Sequence, residues 1–110
     1  MADWIDVLTT SHPAVTAATY FGQAGDVSLL PRFKDENVGL VTLWRYNGGR
    51  PAISFWRSVF ERRAPELIPP IEALIGKRIG QGTTVNEVTA ELLTQVEAAY
   101  VTGLAAGTDS

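Results

Sequence analysis

The chain is expected to fold as an α+β domain, with a short antiparallel sheet centred on residues 38–46 packed by three to four helices. Three observations lead there. Val38 to Tyr46 is rich in β-branched and aromatic residues and is bounded by Asp35-Glu36-Asn37 and Asn47-Gly48-Gly49, the pattern of a strand between turns. Residues 84–102 carry apolar side chains at helical spacing behind a capping sequence. The composition, 45% hydrophobic and 19% charged over 110 residues, is that of one globular domain able to bury a core without staples.

Residues 3–10 read as a helix, with Asp3 as N-cap and Trp4, Ile5 and Leu8 on one side. Ser11-His12-Pro13 ends it. Pro13 then suits the first turn of a second helix, 13–21, where its missing N–H costs nothing, and Ala14, Val15, Ala17, Ala18 and Phe21 make that helix apolar. Gly22 and Gly25 close it. Pro31 reduces 27–33 to an edge strand or a loop, because proline donates nothing to a ladder.

After the strand 38–46, Asn47-Gly48 is a tight-turn sequence. A two-residue hairpin there would set Arg45 against Arg50 and Trp44 against Pro51, which opposes two cations and removes a donor. A helix over 51–63 is therefore favoured over a second strand. In it Ile53, Trp56, Val59, Phe60 and Arg63 recur at helical spacing, and Pro65 stops it. A short helical piece follows Pro69-Pro70 through Ile71, Leu74 and Ile75 and ends at Gly76. The last helix, 84–102, opens with Thr84-Val85-Asn86-Glu87 as a capping box. Val85, Val88, Leu92, Val96 and Ala99 fall within a sector of about 80°, and Gly103 suits its C-terminal cap.

Charge is segregated along the chain. Seven of the nine basic residues lie between Arg32 and Arg63, a segment that sums to +4, while residues 1–31 and 79–110 carry acids and no base. Six of the ten aromatics share that basic segment. Arginine beside aromatic residues is the composition of single-strand nucleic-acid binders, in which cations track phosphates and rings stack on bases. Trp44, Arg45, Arg50, Trp56, Arg57, Arg62 and Arg63 are thus candidates for binding nucleic acid or a protein partner. The bland reading of the same residues is a set of core rings and the wet face of an amphipathic helix. The net charge of −3 confines any nucleic-acid affinity to a local patch.

Gly76 to Thr84 is a glycine-rich stretch placed before the expected last helix. Backbone N–H groups at a helix start, with two cations nearby, make Lys77, Arg78, Gly80, Gly82, Thr83 and Thr84 candidates for holding an anion. It is not a Walker A loop, since no Gly-Lys-Ser/Thr ends it. On the last helix, Thr89, Leu93 and Tyr100 form a second seam beside the apolar stripe and are candidates for an oligomer interface.

The absence of cysteine excludes disulfides, thiol catalysis and thiolate metal sites, and the single histidine, His12, excludes multi-histidine metal centres. The carboxylate pairs Asp3–Asp6, Asp35–Glu36 and Glu87–Glu91 read as caps or solvated faces. No catalytic residue, metal or cofactor is therefore expected. No apolar run reaches the roughly 18 residues of a membrane span, and acids stand at positions 3 and 6 where a signal peptide carries bases, so a cytoplasmic protein is expected. The favoured function is a small non-catalytic binding or accessory module whose partner is another protein or a second copy of the chain. Its alternatives are a nucleic-acid-associated domain using residues 44–63, and binding of, or catalysis on, a small anionic ligand at residues 76–84.

Overall fold

A computed structural model describes residues 2–21, 27–45 and 51–108. In chain order the elements are α1 (Ala2–Ser11), β1 (Val15–Phe21), β2 (Val27–Phe33), β3 (Val41–Arg45), β4 (Pro51–Trp56), α2 (Arg57–Arg63), a 3₁₀ turn (Pro65–Leu67), α3 (Ile68–Ile75), β5 (Gln81–Val85) and α4 (Ala90–Thr108). The strands form one five-stranded antiparallel sheet in the order β1-β2-β3-β4-β5, so each pairs with its neighbour in sequence. The α+β class is as expected, and the sheet is larger than the sequence suggested.

Alternation along the strands divides the sheet into two faces. Val15, Phe33, Val41, Leu43, Ile53 and Phe55 are buried on the inner face. There they join Ile5 and Leu8 of α1, Val59 and Phe60 of α2, Ile68 and Ile71 of α3, and Leu92, Val96, Ala99 and Tyr100 of α4 in one core. The outer face carries Thr42, Trp44, Ser54, Trp56 and Thr84. The Trp44 indole N–H donates to Ser54 Oγ (2.8 Å) and that of Trp56 to Thr42 Oγ1 (3.0 Å). The two rings lie crosswise over the β3–β4 hairpin and bury the hydroxyls beneath them, Thr42 at 3% and Ser54 at 5% exposure.

Residues 13–21 do not form a helix. Val15 to Phe21 pair with Phe33 to Val27 over seven positions as β1, so tertiary pairing overrides the helical preference of three alanines. Residues 51–63 divide at Trp56 into β4 and α2. Ile53 and Phe55 turn inward with a period of two, whereas Val59, Phe60 and Arg63 keep the helical period. The less favoured hairpin thus forms, in a register displaced by one residue. Arg45 faces Pro51 and Trp44 faces Ala52, so no two arginines oppose, and Pro51 takes the first strand position, where proline is tolerated. The Asn47-Gly48 turn lies outside the described residues.

The last helix begins at Ala90, six residues later than the spacing suggested. Thr84 belongs to β5, and Thr89 caps α4 by accepting the Leu92 N–H on its Oγ1 (3.1 Å). The helix also runs past Gly103 to Thr108, so Gly103 is not its cap. Glycine is required there for packing, because a Cβ would come within 2.4 Å of Phe33 Cζ and 2.9 Å of its Cε1. α1 runs one residue past each end of its expected span, so Asp3 lies inside the helix and is not its N-cap, and α3 ends as expected at Gly76, whose φ of 72° supplies the left-handed cap.

Pro31 lies in an interior strand. The β2–β3 ladder pairs residues 27–29 with 43–45 and then resumes as a single bridge between Phe33 and Val38. In the gap, the buried Tyr100 hydroxyl donates to Pro31 O (2.7 Å) and accepts from Leu40 N (3.1 Å) and Val41 N (3.3 Å). Gly39 lets the strands approach here, since a Cβ would stand 2.3 Å from Pro31 O. A residue without an N–H is accepted where a phenol replaces the ladder. Burial holds the phenol pKa well above its ordinary value, so it remains a donor.

Tyr100→Phe leaves three buried backbone groups without their partner and is expected to cost on the order of 3 kcal/mol. Calorimetry should show a melting temperature lowered by roughly 10–15 °C. Gly103→Ala sets two effects against each other. Alanine gains about 1 kcal/mol of helix propensity, but overpacking against Phe33 costs roughly 1–3 kcal/mol. Chemical denaturation should therefore show net destabilisation.

Candidate functional site at the free edge of the sheet

The sheet has two edges, and they are built differently. At β5 the edge is blunted. A bulge at Gly82, with φ of 83°, breaks its register with β4 between Phe55 and Trp56. Lys77 Nζ donates to Thr84 O (3.1 Å), and Thr84 Oγ1 donates to Gly82 O (3.2 Å). A bulge, a lysine and a short strand are the devices by which native sheets discourage further pairing.

β1 has none of them. Its seven residues, Val-Thr-Ala-Ala-Thr-Tyr-Phe, hold no charge and no proline, and its pairing with β2 runs without a register shift. Lys34 N donates to Ala14 O (2.9 Å), so residues 14 and 34 are a hydrogen-bonded pair. In an antiparallel ladder such pairs alternate. Residues 16, 18 and 20 thus turn their backbone groups toward β2, and residues 15, 17, 19 and 21 turn theirs outward. Val15 N is taken up by His12 O (2.9 Å). Among the described residues, nothing bonds the outward N–H and C=O groups of Ala17 and Thr19.

A groove of about 630 Å³ runs along this edge. Ile5, Asp6 and Thr9 of α1 form its wall, and Val15, Ala17, Thr19 and Leu29 its floor. Pro13, Thr16 and Lys34 close one end. Because Thr16 lies on the outer face and Val15 and Ala17 on the inner, the groove wraps the edge itself. It combines a half-apolar trough with a row of unmet backbone donors and acceptors, the chemistry of a site for an extended polypeptide. Composition hides it from sequence reading. The alanines and Pro13 imitate a helix, while the absence of charge over residues 15–21 is the signal that remains.

The structure separates the aromatic and basic candidates. Trp44 and Trp56 stand on the outer face. Arg57, Arg62 and Arg63 lie on α2, on the helical side of the sheet, and each is engaged. Arg57 meets Glu72 (3.3 Å), Glu61 (3.7 Å) and the Ile79 carbonyl (2.8 Å), and Arg62 pairs with Glu36. Arg63 is buried. It reaches Asp35 (2.9 Å) and Glu36 (2.6 Å), donates twice to Gly103 O (2.9 and 3.2 Å), and lies 3.9 Å over the Phe33 ring. It is thus a structural cation, not part of a wet helix face. The Arg45 side chain and Arg50 lie outside the described residues.

The 76–84 loop is not followed by a helix, so the helix-terminal N–H groups that suggested an anion site are not there. Ile79 N donates to Glu72 Oε2 (2.8 Å) and Gly80 N to Thr83 Oγ1 (2.6 Å). Lys77, Gly82 and Thr84 serve the β5 edge, and Arg78 is exposed. The proposed interface on the last helix is also dispersed, since Tyr100 is core, Thr89 is the α4 cap and Leu93 packs partly against the core. Among the described residues, no group of three or more histidines and carboxylates could hold a metal ion, and no helix is long and apolar enough to cross a membrane.

The Arg63 cluster makes stability depend on acid. Hydrogen bonding from Arg63 lowers the Asp35 pKa below 3.8. Hydrogen bonds from Arg62 and then Arg63 lower that of Glu36 below 4.5. Burial opposes the Arg63 charge, but its bonds to both carboxylates outweigh burial and hold its pKa above the ordinary value. Depressed carboxyl pKa values give stability that is complete above the unfolded-state values and lost as pH falls through the folded ones. Urea midpoints should stay level above about pH 5 and decline below about pH 4, with a shallower decline in Arg63→Met.

No family model, no curated protein and no solved structure matches this chain.

Proposed function

We propose that the protein is a small non-catalytic binding module that takes up an extended polypeptide strand along β1. The observation that carries this reading is the coincidence of the outward backbone groups of Ala17 and Thr19 with the groove walled by α1. Main-chain hydrogen bonds supply affinity in strand addition, and alternate side chains entering a groove supply selectivity. Ile5 and Leu29 favour apolar side chains on the groove side, while Asp6 and Lys34 offer one charge of each sign along its length.

The test is a titration of ¹⁵N-labelled protein with synthetic Thr/Val heptapeptides, read by amide chemical shifts. Shifts should concentrate at Ala17, Thr19 and the α1 residues Ile5 and Thr9. Thr19→Pro removes one outward donor without touching the β2 ladder and is expected to weaken binding at least tenfold. Thr19→Lys serves as a second block should proline perturb the fold. Shifts confined to other surfaces, or binding indifferent to both variants, would falsify the proposal.

A further inference from the structure

Resting on the reading of β1 as a strand-accepting edge, we infer that its occupant is β1 of a second copy, the two sheets joining about a two-fold axis at Ala18. The outward-facing positions of β1 are 15, 17, 19 and 21. An antiparallel join of two identical edges must set these against one another to form hydrogen bonds. Pairing about Ala18 does so at the centre of the strand, where Ala17 opposes Thr19 of the copy and Thr19 opposes Ala17, while Val15 N stays with His12 O. Of the two-fold registers, this one sets all seven residues of each β1 opposite the other.

The pairs so formed suit the join. Ala18 meets itself on the axis, where a small side chain is needed. β1 carries no charge, so the symmetry places no like charges face to face. A foreign strand would need its own complementary sequence, whereas this edge is complementary to itself. Two-fold closure also consumes the exposed edge in both copies, leaving only the blunted β5 edges at the ends of a ten-stranded sheet.

Geometry supplies a direct test, because the chain has no cysteine of its own. Ala18 occupies a non-hydrogen-bonded position, where facing Cα atoms stand about 4.5 Å apart, inside the reach of a disulfide. Ala18→Cys should therefore form a covalent dimer under mild oxidation. Thr16→Cys should not, since its own copy lies about 13 Å away at four residues' offset. Light scattering over a dilution series should show the wild-type dimer dissociating in the micromolar range, and Thr19→Pro or Thr19→Lys monomeric throughout.

Cross-linking of Ala18→Cys together with a concentration-dependent wild-type dimer supports the inference. A monomer at high micromolar concentration, or cross-linking equal for Thr16→Cys and Ala18→Cys, overturns it. A synthetic peptide of residues 15–21 separates strand addition from self-association. If the protein is monomeric and the peptide still shifts Ala17 and Thr19, strand addition stands and the second copy is not the occupant. If neither occurs, both fall.

Discussion

The Tyr100 hydroxyl occupies the place where β2 and β3 stop pairing, and much of the architecture follows from it. It donates to Pro31 and accepts from two consecutive amides at the start of β3, so it satisfies three buried backbone groups that have no strand opposite them. Through it α4 is bonded to the middle of the sheet. It explains why an interior strand contains a proline and why position 39 has no side chain. A buried phenol is suited to this task because it can donate and accept at once and, being held neutral, requires no counter-charge.

A second link ties the same helix to the same strand from the opposite direction. Arg63 lies over the Phe33 ring, closes on Asp35 and Glu36 in the turn after β2, and donates to Gly103 in α4. Phe33 in turn packs against Tyr100, with ring centroids 5.1 Å apart, and against the bare Cα of Gly103. A charge this deeply buried is tolerable because it makes four hydrogen bonds, to two carboxylates and a carbonyl. The positive centre of the sequence is in large part the means by which α2, α4 and the β2–β3 turn are joined.

These links secure the β2–β3–α4 side of the sheet, and the glycine-rich loop secures β5. They leave the outward backbone groups of Ala17 and Thr19 on β1 without a partner among the described residues. The helices cover the inner face, and α1 stands back from the β1 edge far enough to leave a groove. An open edge beside a helix is a weak point in an isolated domain and an asset in a binding module.

The sequence by itself determined the class of fold, the α1 and α3 helices, and the inward stripe of Leu92, Val96 and Ala99, because those features rest on local periodicity and capping. It could not distinguish β1 from a helix, since Ala14 to Phe21 satisfies either period and only pairing with β2 decides. The division of 51–63 at Trp56 was hidden for the same reason. Ile53 and Phe55 alternate as a strand requires, yet with Trp56 and Phe60 they also fit a helix. Pro31 and Gly103 were read by their local habits, as a strand breaker and a helix cap. Their real roles depend on Tyr100 and Phe33, which are distant in sequence. The tryptophans and arginines, neighbours in the chain, were separated by strand alternation and the turn into α2. Whether a strand lies at an edge is a property of the finished sheet, and so the candidate site on β1 became visible only when the order of the strands was known.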